Sequence, residues 1–566
     1  MIVRRLTKRM LTGSLVAAVA VFSACDLAVT NPGPVQDATL NLEGAYQGIV
    51  NGAIRGVQEG FGTYALLGGA ITHDIHASGH TGSAGVRPEE EVAWLNDNYD
   101  GRGGWGRLQR ARWVGEEAVR RFNREDSGIS NPGSYPPLAQ AHFWAGLASR
   151  YLGENACTAI FDGGSPEPKL AYFDRAIEAF NNAVTVGQSA GMSDLVTAAV
   201  GARAAAKLFK GDYAGAGADA GQVPFDFKFL TTYSGFGGEY YYVYGHVESL
   251  GFQSLSFWGT PAGEHFLLTG DSRVAWGYDN GSREVPAGKP AAVRGQTHPA
   301  RPTWVSLVPM FYPLKGIAPR NPEREFLFFE PDRAQQREQL QIDLVDGREM
   351  ELIKAEVELR NGNWQAAMAH INNVRTSTPV YPIDMTDQNK FDLRLHPDEQ
   401  VDWDANPDLA AYFDQFGYEL QDFTEGADMT PMGNMMLGDR MMDALHAMSA
   451  EEAWTYLKFE RYVEFSMEGR RFGDRWRWRS NPESIAPSSG PGGELTPGKY
   501  NHLEFIPTPL AQRYNVPEDP LMMCFPLPVS ENDTNHNIEE SYMDWIESTG
   551  YRAVDPSLID MRMGGM

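Results

Sequence analysis

The chain has 566 residues and a formal net charge of −26, from 74 acidic and 48 basic side chains. That length allows several core-sized units, and the acidic balance argues against a nucleic-acid-binding protein, for which a basic footprint is expected. Gly (59) and aromatic residues (11 %) are both abundant, which suits long ordered loops as well as helices.

The amino terminus reads as a targeting segment. Arg4, Arg5, Lys8 and Arg9 form a basic region, and Leu11 to Phe22 is apolar but too short to span a bilayer. Ser23 and Ala24 before Cys25 resemble a bacterial lipobox, in which Cys25 carries lipid and residues 1–24 are removed. The other reading is an ordinary signal peptide with an incidental cysteine. Asp26 follows, as in lipoproteins retained at the inner membrane of some bacteria. No later apolar run is long enough to cross a membrane, so the body is expected to be anchored rather than spanning. Cys157 and Cys524 remain. An exported compartment permits a disulfide between them, and two separate buried thiols are the alternative.

The body shows a repeated helical hairpin. Ala198 to Val223 reads as helix, Gly-Asp-Tyr, helix, and Glu349 to Val374 as helix, Gly-Asn-Trp, helix. Aligning Gly211 with Gly362 also aligns Tyr213 with Trp364 and Ala216 with Ala367. The Gly and Asp/Asn break the first helix, the aromatic docks the turn, and the alanine lets the second helix approach. This is the tetratricopeptide pattern. A third pair is Leu138 to Leu152 with the face Phe173, Ala176, Phe180 and Ala183, separated by a loop from Gly153 to Lys169. A fourth is Leu40 to Arg55 with Gly106 to Phe122. The predicted fold is mainly α, a tetratricopeptide-like helical superhelix with long ordered loops and a few short strands.

Two stretches lack helical periodicity. Thr72 to Gly104 carries Trp94, Asn96 and Tyr99; Phe225 to Gln339 carries Tyr242, Trp258, Trp276, Trp304 and Tyr312 among Gly and Pro. A structureless loop of the second length is unusual in a compact domain, so order with short hairpins is expected. Ser480 to Lys499 is rich in Pro, Gly and Ser and reads as an exposed excursion. His73, Asp74, His76 and His80 are the one cluster of metal-type ligands. Loop spacing this loose does not ensure convergence, so no metal is expected and Asp74 should cap the turn or helix that follows. Asp97 and Asp100 lack the ordered spacing of a calcium loop. Gly187-Gln188-Ser189-Ala190-Gly191 matches a nucleophile elbow, but a helix precedes it where a strand is required. Gly101 to Gly106 matches a dinucleotide-binding pattern without a buried strand before it. No cofactor is expected.

The most informative stretch is Leu457 to Trp478. Glu460, Glu464 and Glu468 recur every four residues, so they are expected on one helix face. Arg461, Arg471, Arg475 and Asp474 interleave with them among Phe459, Tyr462, Phe465, Met467, Phe472, Trp476 and Trp478. Charges amid so much apolar surface should be paired. The expectation is a structural network of Glu460, Arg461, Glu464, Glu468, Arg471 and Asp474 on a buried helix. A catalytic reading would need two of the carboxylates in one open cleft.

This stretch resembles the signature helix of the SusD/RagB family, Glu-Arg, then Glu, then Glu-Gly-x-Arg, then Asp, here Glu460, Arg461, Glu464, Glu468, Gly469, Arg471 and Asp474. Arg348 to Glu356, Ile371-Asn372-Asn373-Val374-Arg375 and Phe525 to Glu531 with Asn535 and Asn537 resemble further elements of that family. His536 stands where the family usually has proline, and a clear Gln-Asn-Pro-Gly-Tyr ending is lacking. The resemblance implies a non-enzymatic outer-membrane lipoprotein, lipid-anchored and surface-exposed. It would deliver oligosaccharides to a SusC-like TonB-dependent transporter. The implied division is 1–24 signal peptide, 25–224 helical region, 225–339 ligand-loop region and 340–566 carboxyl-terminal region with the last hairpin and signature helix. Ligand contacts are expected from Trp94, Asn96, Tyr242, Trp258 and Trp304, although large aromatics also serve as core. Alternatives are a peptide-binding RagB-like protein, a glycoside hydrolase using two clustered carboxylates, and a pure scaffold.

Overall fold

The computed structural model describes residues 40–72, 74–77, 103–233, 341–378, 442–480 and 524–538. It also describes short pieces at 255–256, 265, 269, 271–274, 276–279 and 310–313. Helices α1 (Glu43–Ile71), α2 (Gly104–Phe122), α3 (Pro136–Asn155), α4 (Leu170–Ser189), α5 (Ser193–Lys210) and α6 (Tyr213–Ala220) come first, each packed on the next. Then follow α7 (Gly347–Arg360), α8 (Trp364–Thr376), α9 (Ala450–Glu464), α10 (Arg470–Ser480) and α11 (Val529–Thr534). Helix α7 continues the stack on α6 and pairs with α8, α9 lies across α7 and α8, and α10 returns to α1 and α3. The fold is therefore mainly α, as the hairpin pattern predicts.

The repeat turns explain the stacking. Helix α5 ends at Gly211 (φ 86°), and Asp212 caps α6 by accepting from the Gly215 amide at 2.9 Å. Helix α7 runs to Arg360, and Gly362 (φ 81°) precedes α8. A residue at positive φ ends a helix without steric cost only when it lacks Cβ. Ala216 and Ala367 are fully buried. The Arg360 guanidinium lies 4.9 Å from the Tyr213 ring and 5.0 Å from that of Trp454, joining the two hairpins to α9.

Helix α1 departs from the expected end at Arg55 and runs to Ile71. Its glycines lower helix propensity, yet every residue from Gly60 to Ile71 is buried. Packing overrides propensity: a Cβ at Gly60 would lie 2.5 Å from Leu108 Cγ, so glycine lets α2 come close. The loop after α3 also holds structure. Thr158–Ala159 pairs with Glu167–Pro168, and Cys157 is joined to Cys524 in a disulfide with Cα atoms 5.0 Å apart. Beside it the Cys157 amide donates to Phe525 O (2.9 Å) and the Phe525 amide to Asn155 O (2.7 Å). The Phe525 ring lies 5.4 Å from Tyr64 and 4.6 Å from Phe472. One core thus contains residues of α1 to α5 together with Phe459, Tyr462, Phe472 and Phe525.

The described strands form antiparallel pairs that tie the long aromatic region to the helices. Lys228–Thr232 pairs with Gln341–Asp346, His76–Ala77 with Leu255–Ser256, and Trp276–Asp279 with Met310–Pro313. Asp346 then caps α7, accepting from the Glu349 amide at 2.6 Å. No helix among the described residues is long and apolar enough to cross a membrane, and no group of three metal-type ligands converges among them.

Candidate functional site

Cys25 and the expected ligand residues Trp94, Asn96, Tyr242, Trp258 and Trp304 lie outside the described residues. The stretch from Leu457 to Trp478, with the expected charge network, is described.

That stretch is two helices, not one. Helices α9 and α10 are joined by a turn with Met467 (φ 66°) and Gly469 (φ 67°). A Cβ at Gly469 would lie 2.6 Å from Ala65 Cα and 2.7 Å from Tyr64 O. The turn abuts the α1 backbone, and only glycine fits there. Glu468 therefore leaves the face shared by Glu460 and Glu464 and is half-buried outside both helices.

The charges reach across the molecule. The Arg273 guanidinium donates to Glu464 Oε2 (2.8 Å) and pairs with Glu460. Arg348 donates through Nε to Glu464 Oε1 (2.8 Å) and through Nη2 to Oε2 (3.0 Å). Arg375 Nη1 lies 3.5 Å from Glu460 Oε2. Arg273 also grips Asp271 with two donors, at 3.0 and 2.7 Å, and His265 Nε2 lies 3.1 Å from Asp271 Oδ2. Arg461 binds Asp474 with two donors (2.8 and 3.0 Å), and Arg477 adds a third at 2.9 Å while pairing with Glu356. Arg470 donates to Glu154 (3.2 Å) and pairs with Glu349, and Arg150 binds the same two carboxylates at 2.7 and 2.9 Å. Arg471 Nη1 donates to Asp74 Oδ1 (3.1 Å), with its guanidinium 4.3 Å from the Tyr462 ring, and Arg475 donates to Ile71 O (3.1 Å).

These pairs are buried, where a lone charge is costly and forked arginine–carboxylate bonds are strong. Burial alone would raise the Glu464 carboxyl, but the Arg348 and Arg273 guanidiniums hold it well below the usual carboxylate range. Burial likewise opposes ionisation of Asp271, and Arg273 overrides it. Burial and the Glu464 charge push Asp346 up to about 8. A glycosidase acid needs a raised pKa and access to the glycosidic oxygen. Glu464 is buried and held ionised by two arginines, so its geometry suits a clamp rather than proton donation.

Asp74 does not cap a following helix. It is fully buried against Arg471, and an extended pair begins at His76. His73 and His80 lie outside the described residues. The partners that reading the stretch alone missed are Arg150, Glu154, Arg273, Arg348, Glu349, Glu356 and Arg375. Arg348, Glu349, Glu356 and Arg375 stand inside the sequence elements quoted above, which could have marked them. Arg273 sits in a stretch without periodicity and gave no signal. Asn535 and Asn537 donate to Gly164 O (2.9 Å) and Gly163 O (2.7 Å), pinning the segment after α11 to the hairpin loop.

Residues 349–545, which span α7 to α11, match the model of the SusD family. A SusD superfamily protein from Bacteroides thetaiotaomicron VPI-5482 has a similar fold. The TM-score is 0.51 at 15 % identity, covering 87 % of this chain and 98 % of that one. A SusD superfamily protein from Bacteroides vulgatus ATCC 8482 gives a TM-score of 0.49 at 12 % identity, over 86 % of this chain and 97 % of that one. A SusD/RagB family protein from Bacteroides thetaiotaomicron VPI-5482 gives 0.48 at 11 % identity, over 87 % and 96 %. No curated protein matches the chain. The carboxyl-terminal part of the chain, α7 to α11, thus resembles the SusD family, and the chain shares the helical fold of a SusD superfamily protein.

Proposed function

We propose that this protein is a cell-surface lipoprotein, anchored through Cys25, that binds oligosaccharides and delivers them to a SusC-like TonB-dependent transporter of the outer membrane. The observation that carries this reading is the SusD-family match over residues 349–545. Sugar rings offer apolar C–H faces and a rim of hydroxyls. Aromatic side chains cover such faces and amides satisfy the rim, and loops on a rigid frame present both. Trp94, Tyr242, Trp258 and Trp304 take the first role in this proposal and Asn96 the second. The disulfide between Cys157 and Cys524 agrees with an exported location. The arginines gripping Glu460 and Glu464 support binding without hydrolysis.

The test is an array of neutral and acidic oligosaccharides, run beside a peptide panel with the purified protein. The wild-type protein should retain at least one class of oligosaccharide without cleaving it. Trp94→Ala, Trp258→Ala and Trp304→Ala should each weaken that binding about tenfold, equivalent to about 1.4 kcal/mol. Retention of peptides alone would replace the ligand class, and release of shorter sugars would replace the binding reading with a hydrolase.

A further inference from the structure

The two regions proposed to carry the ligand contacts are far apart in sequence, yet their described roots converge on one helical pair. His76 stands opposite Ser256 and Ala77 opposite Leu255, so the two regions share a short antiparallel pair. Two residues before His76, buried Asp74 is held by Arg471 of α10. Just before that, the carbonyl of Ile71, the last residue of α1, accepts from Arg475. Further along the second region, Asp271 and Arg273 form a buried unit with Glu460 and Glu464 of α9. The His265 ring meets Phe459 of α9 edge-on at 5.0 Å. The first region is thus held by α10 where it leaves α1, and the second region is held by α9 at Asp271 and Arg273, beyond its strand residues. The turn at Gly469, pressed on the α1 backbone, fixes the two helices against the rest of the core.

We propose that Asp74–Arg471 and Arg273–Glu464 are positioning pairs for ligand capture, holding the roots of the two regions in one register. This deepens the proposed function and rests on it for the ligand. The physical reason is that a charge buried beside an oppositely charged partner has few alternatives to that contact, whereas a two-residue strand pair alone is too short to hold its register. Neither arginine is asked to touch ligand. Each acts through the segment it holds.

The experiment compares four full-length proteins in mild detergent: wild type, Asp74→Ala, Asp74→Asn and Leu195→Ala. Leu195 is a buried core residue of α5 and provides a destabilised control away from the pair. Two readouts are taken well below the melting transition. One is hydrogen exchange of the amides in 74–77 and 255–256, and the other is affinity for an oligosaccharide retained on the array. Asp74→Ala should exchange at least tenfold faster there and bind at least tenfold more weakly. Asp74→Asn, which keeps an acceptor for Arg471, should recover part of both, and Leu195→Ala should change neither. Equal exchange and equal affinity in Asp74→Ala and Leu195→Ala would overturn the positioning role. Should Asp74→Ala fail to fold, Asp74→Asn against Leu195→Ala decides by the same readouts. Should wild type bind no oligosaccharide, the ligand reading fails by itself, and the exchange comparison still decides whether the pairs set the register.

Discussion

At the scale of single residues, charge placement governs stability. Glu464 accepts from both Arg348 and Arg273, and removing one partner of a buried pair strands the others at a cost of about 3–5 kcal/mol. Glu464→Ala should lower the urea midpoint accordingly, and an unchanged midpoint would refute the clamp. The Glu464 pKa is depressed in the folded state. Its contribution is therefore complete above the ordinary carboxylate range and is lost as pH falls below it. Lys169 shows the opposite chemistry. Its Nζ is buried 3.7 Å from the Trp476 ring centre, with no hydrogen-bond partner among the described residues. Desolvation pulls its pKa down to about 7, against the attraction of Glu154. Between that value and about 10.4, the unfolded chain binds the extra proton, so stability should rise with pH across this window. Lys169→Met should flatten that rise in urea midpoints measured from pH 7 to 10. Parallel profiles for the two proteins would contradict the assignment.

At the scale of elements, what was legible depended on how local the cause is. The hairpin turns at Gly211 and Gly362 were readable because a positive-φ glycine and the polar residue after it are encoded at adjacent positions. The second half of α1 was not, because its helicity depends on burial against α2 and α10, which no window of sequence shows. The break between α9 and α10 was hidden for a similar reason. Glu460, Glu464 and Glu468 keep a helical spacing, but the contact of Gly469 with the backbone at Ala65 ends the helix. Pairing was legible as a need, from charges among aromatics, while the identity of Arg273 and Arg150 as partners was not. The cysteines were visible, but their proximity depends on the stitching of Phe525 beside Ala156. The Cys157–Cys524 link closes a separation of 367 residues, and its loss should cost about 2–5 kcal/mol. Cys157→Ser with Cys524→Ser should therefore lower the melting temperature under oxidising conditions. An unaltered transition would mean that the surrounding hydrogen bonds hold the segment without it.

At the scale of the whole molecule, α1 shares one core with Phe472 of α10 and with Phe525 and Leu527 before α11, and the described parts of the long aromatic region are rooted on that body by strand pairs and buried charges. In the proposed function this body holds the ligand and does not itself carry it across the membrane. The proposed function therefore requires a partner in the membrane, lying where the aromatic regions can hand the ligand on. The net charge of −26 does not oppose such a contact, since interfaces depend on local patches. The most direct measurement is purification of the full-length protein from native membranes in mild detergent, with the associated proteins quantified. The account predicts a large TonB-dependent β-barrel in near-equal amount, and release of both the anchor and the partner on Cys25→Ser. Recovery of this protein alone, from membranes in which other complexes survive the same detergent, would contradict it.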